Sequence, residues 1–260
     1  MVKPKPKHHI RAVFNIDVQN SPNGEESGMR FGHVQAWHKG NVSHSEYCVP
    51  NEIIAGEIAH FLRLPISPFT ISYCGNGGYF FTSLNFNFDR SEALTPILPD
   101  RLCLNLPFLA SGILLFDILV ANCDRHDENL VVDDHLDPRS VMVFDHDQAL
   151  LASEGIGRLK ELTNSLGITG GTVTGGNRHC LLDYIADQTH FDTWLNRIDG
   201  IPSWFIDDIC DKAQAYGLSR AQAEFLKGFL KHRRNALSTI LKSNAGRLPP
   251  SDQSDGGLYL

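Results

Sequence analysis

Asn122-Cys123-Asp124-Arg125-His126-Asp127-Glu128-Asn129, read together with Val143-Phe144-Asp145 downstream, is the stretch that decides the fold. An apolar segment from Phe108 to Ala121 leads into it, with Ile113, Leu114, Phe116 and Leu119 at helical spacing. Leu130-Val131-Val132 follows and reads as a short strand. An acidic turn containing Pro138 comes next, then a second apolar run, Ser140 to Phe144, ending on Asp145. Asp124 and Asn129 therefore belong to a loop between a helix and a strand, and Asp145 to the exit of the partner strand of a hairpin. That arrangement brings a carboxylate, an amide oxygen and a second carboxylate to one edge of a sheet.

Such a trio suits magnesium-dependent phosphoryl transfer. Magnesium prefers oxygen ligands and takes one or two carboxylates, while phosphates and water complete its shell. In kinases a loop Asp receives the proton of the attacking hydroxyl, an Asn five positions later holds one metal, and an Asp at a strand end holds metal too. On that division of labour Asp124 is the base or hydroxyl-orienting group, and Asn129 and Asp145 are metal ligands. Asp147, two residues on, is a further candidate ligand. Asn122 and His126 are expected to brace the loop, because an imidazole N–H to a carboxylate or carbonyl fixes orientation. Arg125 reads as an ion-pair partner that stabilises it. A different chemistry is also open. Asp124-x-His126 and Asp145-His146-Asp147 resemble fragments of metallohydrolase sites, which need further histidines to converge.

The run N-x-D-R-H-x-x-N followed by F-D-H-D-x-A-L resembles the catalytic core of HipA-like kinases, and is more distantly similar to phosphatidylinositol kinases. Upstream, Asn51-Glu52-Ile53-Ile54-Ala55-Gly56-Glu57-Ile58-Ala59 and then Leu64-Pro65-Ile66-Ser67-Pro68 extend the resemblance. It spans roughly residues 30 to 240, and its specific part is the central motif. It implies a two-lobed, protein-kinase-like α+β fold that uses ATP and magnesium and phosphorylates protein Ser or Thr. It also nominates Glu52 as the helix acid that pairs with a phosphate-clamping lysine, and Ser83-Leu84-Asn85 as the connector that offers its backbone to the adenine edge. The chain departs from the pattern at the lysine. In His33-Val34-Gln35-Ala36-Trp37-His38-Lys39, Gln35 falls where the lysine is expected and Lys39 lies four positions later. Three readings stay open: Lys39 supplied by a register shift, another basic group in its place, or impaired transfer that leaves a nucleotide- or partner-binding pseudokinase. A lipid or small-molecule acceptor stays open from the phosphatidylinositol-kinase side.

The length of 260 residues suits one large domain or two lobes around a cleft. The expected division is a β-rich N-lobe over 1–84, a mainly helical C-lobe over 85–243 and a disordered tail over 244–260. A net charge of −7 argues against a whole-protein nucleic-acid or membrane footprint. No run of eighteen apolar residues is present, so no membrane span is expected. Six scattered cysteines without a C-x-x-C pair read as reduced thiols in a cytoplasm. The expected partners are a protein substrate and, from the resemblance, a cognate antitoxin or other partner protein.

The rest of the chain supplies the frame. Arg11 to Val18 and Met29 to His38 read as strands around a turn-rich segment, Gln19 to Gly28, that forms a phosphate-covering flap or an ordinary hairpin turn. Val49 to Leu62 reads as an amphipathic helix with Ile53, Ile54, Ile58 and Phe61 on one side and Glu52 and Glu57 on the other. Thr70–Cys74 and Tyr79–Thr82 flank Gly75-Asn76-Gly77-Gly78, a hairpin signal. The stretch Gly167 to His179 reads as a loop. Residues 181–198 and 202–216 look helical, with Trp194, Trp204, Phe191 and Phe205 as expected core. Ser219 is the expected N-cap of a final helix whose Lys227, Lys231, His232, Arg233 and Arg234 form a basic, solvated face.

Overall fold

The computed structural model of the chain describes residues 17–19, 31–33, 35–75, 78–85, 94–168 and 178–251. The expected flap, the Asn76-Gly77 turn, most of the 167–179 loop and residues 252–260 lie outside the described residues.

Two short strands, β1 (Asp17–Gln19) and β2 (Phe31–His33), pair antiparallel. Next come β3 (Ala36–Gly40), helix α1 (Cys48–Leu62), β4 (Phe69–Cys74) and β5 (Gly78–Leu84). The three strands form an antiparallel sheet in the order β3-β5-β4, with Lys39 opposite Phe81 and Cys74 opposite Gly78. The hairpin read from the glycine-rich turn is thus the β4–β5 pair. Phe81 packs on Val49 and Ile53 of α1, with Phe69 and Ile71 beside them, so one face of the sheet is seated on this helix.

α1 is not amphipathic in the expected sense. It runs between the two halves of the molecule and is buried almost all round. Glu52, placed on its polar side by sequence, is only 2% exposed, whereas Phe61 on the expected apolar side is 40% exposed. The cause is tertiary, since sheet, C-terminal helices and site all press on the same helix.

The second half is mainly helical. The strand β6 (Thr95–Pro96) and helices α2 (Pro99–Asn105) and α3 (Pro107–Leu119) precede the central loop. After the loop, β7 (Leu130–Val132) and β8 (Val141–Val143) form the expected hairpin, with Leu130 opposite Val143, and β6 adds to β7. Then follow α4 (Ile156–Leu162), α5 (Phe191–Asp199), α6 (Ser203–Ala213) and α7 (Arg220–Ser243). Both α2 and α3 start on a proline, which tolerates the first helical turn because its missing N–H is one that the helix leaves unbonded anyway. α3 is the core. Its Ile113, Leu114, Leu115, Phe116 and Ile118 are fully buried. Each such side chain stabilises the fold by about 1.5–3 kcal/mol, more than the roughly 1 kcal/mol that Gly112 costs the helix. No single helix among the described residues is long and apolar enough to cross a membrane. All six cysteines are free thiols.

Ser219 caps α7 in a reciprocal box with Gln222. Four further expectations need correction. Trp204 is 68% exposed in the first turn of α6, and Trp194 alone of that pair is core. Residues 181–184 form turns, and the helix there begins only at Phe191. Arg233 is not on a solvated face. It is fully buried, because it shares the apolar stripe of Leu226, Leu230, Leu237 and Ile240, and it satisfies its guanidinium on backbone carbonyls. Residues 244–251, counted with the tail, form a 3-10 turn at Ala245–Arg247 and then dock. Gln188 donates its side-chain amide to Pro249 O and its backbone N–H to Pro250 O.

Candidate active site

The central loop hangs between α3 and β7, and a carboxylate inside α3 holds it. Asp117 is fully buried and meets Arg125 through two contacts, Nε to Oδ2 at 2.8 Å and Nη2 to Oδ1 at 3.1 Å. Asn122 donates to Asp117 Oδ1 at 3.0 Å, and His179 Nε2 lies 3.0 Å from Oδ2. Burial pushes Asp117 up, but the Arg125 charge and the His179 hydrogen bond outweigh it and hold the carboxyl well below its usual range. Arg125 is thus the stabilising ion-pair partner expected from sequence. Its partner, Asp117, went unnoticed, although a lone carboxylate in an apolar helix is itself a signal that a buried cation must meet it.

The same guanidinium ties the loop to the strand. Arg125 Nη1 donates to Asn129 O at 3.0 Å and to Phe144 O at 2.7 Å, the residue before Asp145. Asp124 is held by both backbone groups. Its N–H reaches Asn122 Oδ1 at 3.2 Å, and Asn129 Nδ2 donates to its carbonyl at 3.0 Å. Asn122 braces the loop through its side chain. His126 does so through its backbone, with its N–H on Asp124 O and its carbonyl taking Asn129 N–H. The expected imidazole bond to a carboxylate or carbonyl is absent among the described residues.

Across the cleft, Lys39 Nζ lies 2.6 Å from Glu52 Oε1 and 2.7 Å from Asp145 Oδ1. Burial lowers the affinity of Lys39 for its proton, but these two carboxylates more than restore it, and the amine is held above its ordinary value. His146 Nδ1 stands 3.3 Å from the other Glu52 oxygen. Burial raises Glu52, and the hydrogen bond from His146 with the charge of Lys39 overcomes it, bringing the carboxyl down to about 2. Asp145 itself has φ +62, a left-handed conformation that Asp tolerates better than most residues and that turns the chain sharply after β8.

Gln35 takes no part in this cluster. It precedes β3 and meets the connector, accepting Asn85 N–H at its carbonyl and Asn85 Nδ2 at its side-chain oxygen, at 3.0 and 3.1 Å. Of Gln35 and Lys39, Lys39 is the residue that pairs with Glu52. Ser83 lies opposite Trp37 in the ladder. Leu84 is pinned by its N–H to Pro68 O and by Ser67 Oγ on its carbonyl at 2.7 Å, and Asn85 also accepts Trp37 Nε1 at 3.2 Å.

Asp147 stands beside Asp145. Ser45 Oγ donates to it at 3.3 Å, and Asn51 Nδ2 fixes its backbone carbonyl at 2.7 Å. Burial and then the Asp145 charge push its carboxyl up to about 6. Asp145 and Asp147 thus form a neighbouring carboxylate pair, with Asp145 also paired to Lys39. Among the described residues no group of three His, Cys, Asp or Glu side chains is placed to hold a metal. His38 does not join Asp145 and Asp147, since its ring bonds Thr82 and Ser72 on the opposite face of the sheet.

No family model matches the chain, and no curated protein matches it. Solved structures do. The chain is similar to the Helicobacter pylori proinflammatory kinase CtkA at TM-score 0.53 and 15% identity, covering 80% of this chain and 91% of that one. It is also similar to the Shewanella oneidensis MR-1 toxin–antitoxin complex of HipA, HipB and operator DNA. That match has TM-score 0.43 and 13% identity over 92% of this chain and 66% of the other. The likeness to CtkA shows the architecture: this chain has a kinase-like α+β fold, with a small β-rich lobe above a helical one.

Proposed function

We propose that this chain is an ATP- and magnesium-dependent kinase that transfers the γ-phosphate to a protein Ser or Thr hydroxyl. The observation that carries this reading is Lys39, held between Glu52 and Asp145, the latter on the strand exit that Arg125 ties to the Asp124–Asn129 loop. Lys39 would meet phosphate oxygens, with Glu52 fixing its direction. Asn129 and Asp145, with Asp147 beside them, would hold magnesium. When bound, the metal neutralises charge on the phosphate oxygens. Asp124 orients the acceptor hydroxyl and takes its proton, from a backbone clamped on both sides by Asn122 and Asn129. Arg125 keeps that loop in register with Asp145. The connector around Leu84 would offer backbone groups to the base.

The support for a protein acceptor is the sequence resemblance. A non-transferring pseudokinase rested on Gln35, and the position of Lys39 favours transfer instead. The test is incubation with γ-labelled ATP and magnesium, alone and with candidate protein acceptors, beside Asp124→Ala. Label transferred by the wild type and not by the variant is the expected result. Nucleotide binding without transfer under any condition would overturn the kinase reading in favour of a binding module.

A further inference from the structure

We infer that Trp37 is the platform on which the base of the bound nucleotide stacks. The inference rests on the nucleotide-binding reading above and adds a base-binding residue to it. Side chains alternate along a strand, so Trp37 shares the face of Lys39, two residues away or roughly 7 Å along β3. That face looks toward α1 and the cleft, as the Lys39–Glu52 pair and the seating of Phe81 on Val49 and Ile53 establish. Trp37 is nevertheless 65% exposed. A large aromatic on the inward face of a sheet is left open there because nothing of the described chain covers it, and Ser83, directly opposite across the ladder, is too small to do so.

The indole is also held in place. Its Nε1 donates to Asn85 Oδ1 at 3.2 Å, and Asn85 is tied in turn to Gln35 by backbone and side chain. Trp37 therefore sits between the connector and the phosphate-directed lysine, in the spatial order connector, ring, cation along β3. A nucleotide presents base, sugar and phosphates in the same order, and a π face is the surface on which any base stacks. The Gln35–Asn85–Trp37 chain also gives Gln35 a role, as a positioning residue for the ring.

The test is binding by calorimetry and by tryptophan fluorescence, with ATP and inorganic tripolyphosphate as paired probes in the presence of magnesium. Trp204→Phe removes the other exposed indole, so that the surface signal reports Trp37. In that background ATP should quench the emission and tripolyphosphate should not. Trp37→Ala should weaken ATP about five- to a hundredfold, the range of a lost base–aromatic stack, while tripolyphosphate binds as before. Trp37→Phe should recover most of the loss. Equal weakening of both probes, or undiminished ATP binding to Trp37→Ala, would overturn the inference while leaving the nucleotide reading intact. Failure of the wild type to bind ATP at all would remove that reading and the inference with it.

Discussion

Lys39 and Asp145, 106 positions apart in the chain, meet at 2.7 Å across the cleft, and Glu52 holds the other side of the same amine at 2.6 Å. This ion-pair cluster joins the strand lobe to the hairpin lobe at the point where transfer is proposed. Lys39→Ala is expected to lower kcat/KM by about 10²–10³-fold, the usual cost of removing one preorganised charge-stabilising donor. Gln35→Lys added to that variant is expected to restore nothing. Position 35 lies roughly 13 Å along the strand, at the connector. Steady-state kinetics of the two variants decides it, and recovery in the double variant would place the phosphate end of the site at residue 35.

Asp117 and Glu52 make the protein sensitive to acid. Both carboxyls titrate lower in the fold than in the unfolded chain, where a carboxylate has a pKa of about 4. Their contribution is therefore fully present above about pH 4 and is lost as pH falls toward about 2 for Glu52, and lower still for Asp117. Asp117→Asn is expected to destabilise the protein at pH 7 by about 3–5 kcal/mol, since it leaves buried Arg125 without its counter-charge. It should also flatten the acid limb. Thermal melting from pH 7 to pH 2.5 on both proteins tests this, and parallel curves would contradict it.

The order of the site was legible because it is local. The spacing Asp124 to Asn129 and the apolar run ending on Asp145 are set within one helix, loop and hairpin, and β7 and β8 pair where the two short apolar runs put them. The lysine was not legible from strand periodicity. Gln35, Trp37 and Lys39 have the same parity and so the same face. Only the register of Lys39 against Phe81, and α1 packed behind it, selects among them. Burial was misread where polar residues sit on apolar stripes. Glu52 and Arg233 look solvent-facing one at a time, yet each lies where several elements converge, and that is a property of the whole packing.

Arg233 gives a second stability prediction. Its guanidinium donates to the carbonyls of Ile118, Leu119, Leu162, Thr163, Ser165 and Leu166, closing the C-terminal end of α3 just before the central loop. Burial, and then the neighbouring Arg158, lower it to about 10, so it remains charged at neutral pH and complements the negative end of the helix. Arg233→Leu keeps the stripe apolar but strands these carbonyls, at about 3 kcal/mol or more. The expected fall in Tm is roughly 6 °C or more. A variant as stable as the wild type would mean that water replaces the guanidinium.

Gly112 poses a contest between two opposing effects. Alanine in mid-helix is favoured over glycine by about 1 kcal/mol, so Gly112→Ala should stabilise α3 if nothing opposed it. A Cβ at this position would come within 2.3 Å of Trp194 Cε2 and Cζ2. The indole has little freedom to retreat. Its Nε1 donates to Phe108 O at 2.7 Å, its ring stacks on Phe108 at 4.9 Å, and the Arg197 guanidinium lies 4.6 Å from its centroid. Overpacking of such a core costs about 1–3 kcal/mol and sometimes more, so the clash is expected to win. Gly112→Ala should therefore lower the denaturant midpoint, and pairing it with Trp194→Phe should return part of the loss through the smaller ring. Because α3 carries Asp117 one and a half turns on, the single variant should also slow turnover. A rise in stability would show that α5 is free to shift and that the glycine serves helix packing only loosely.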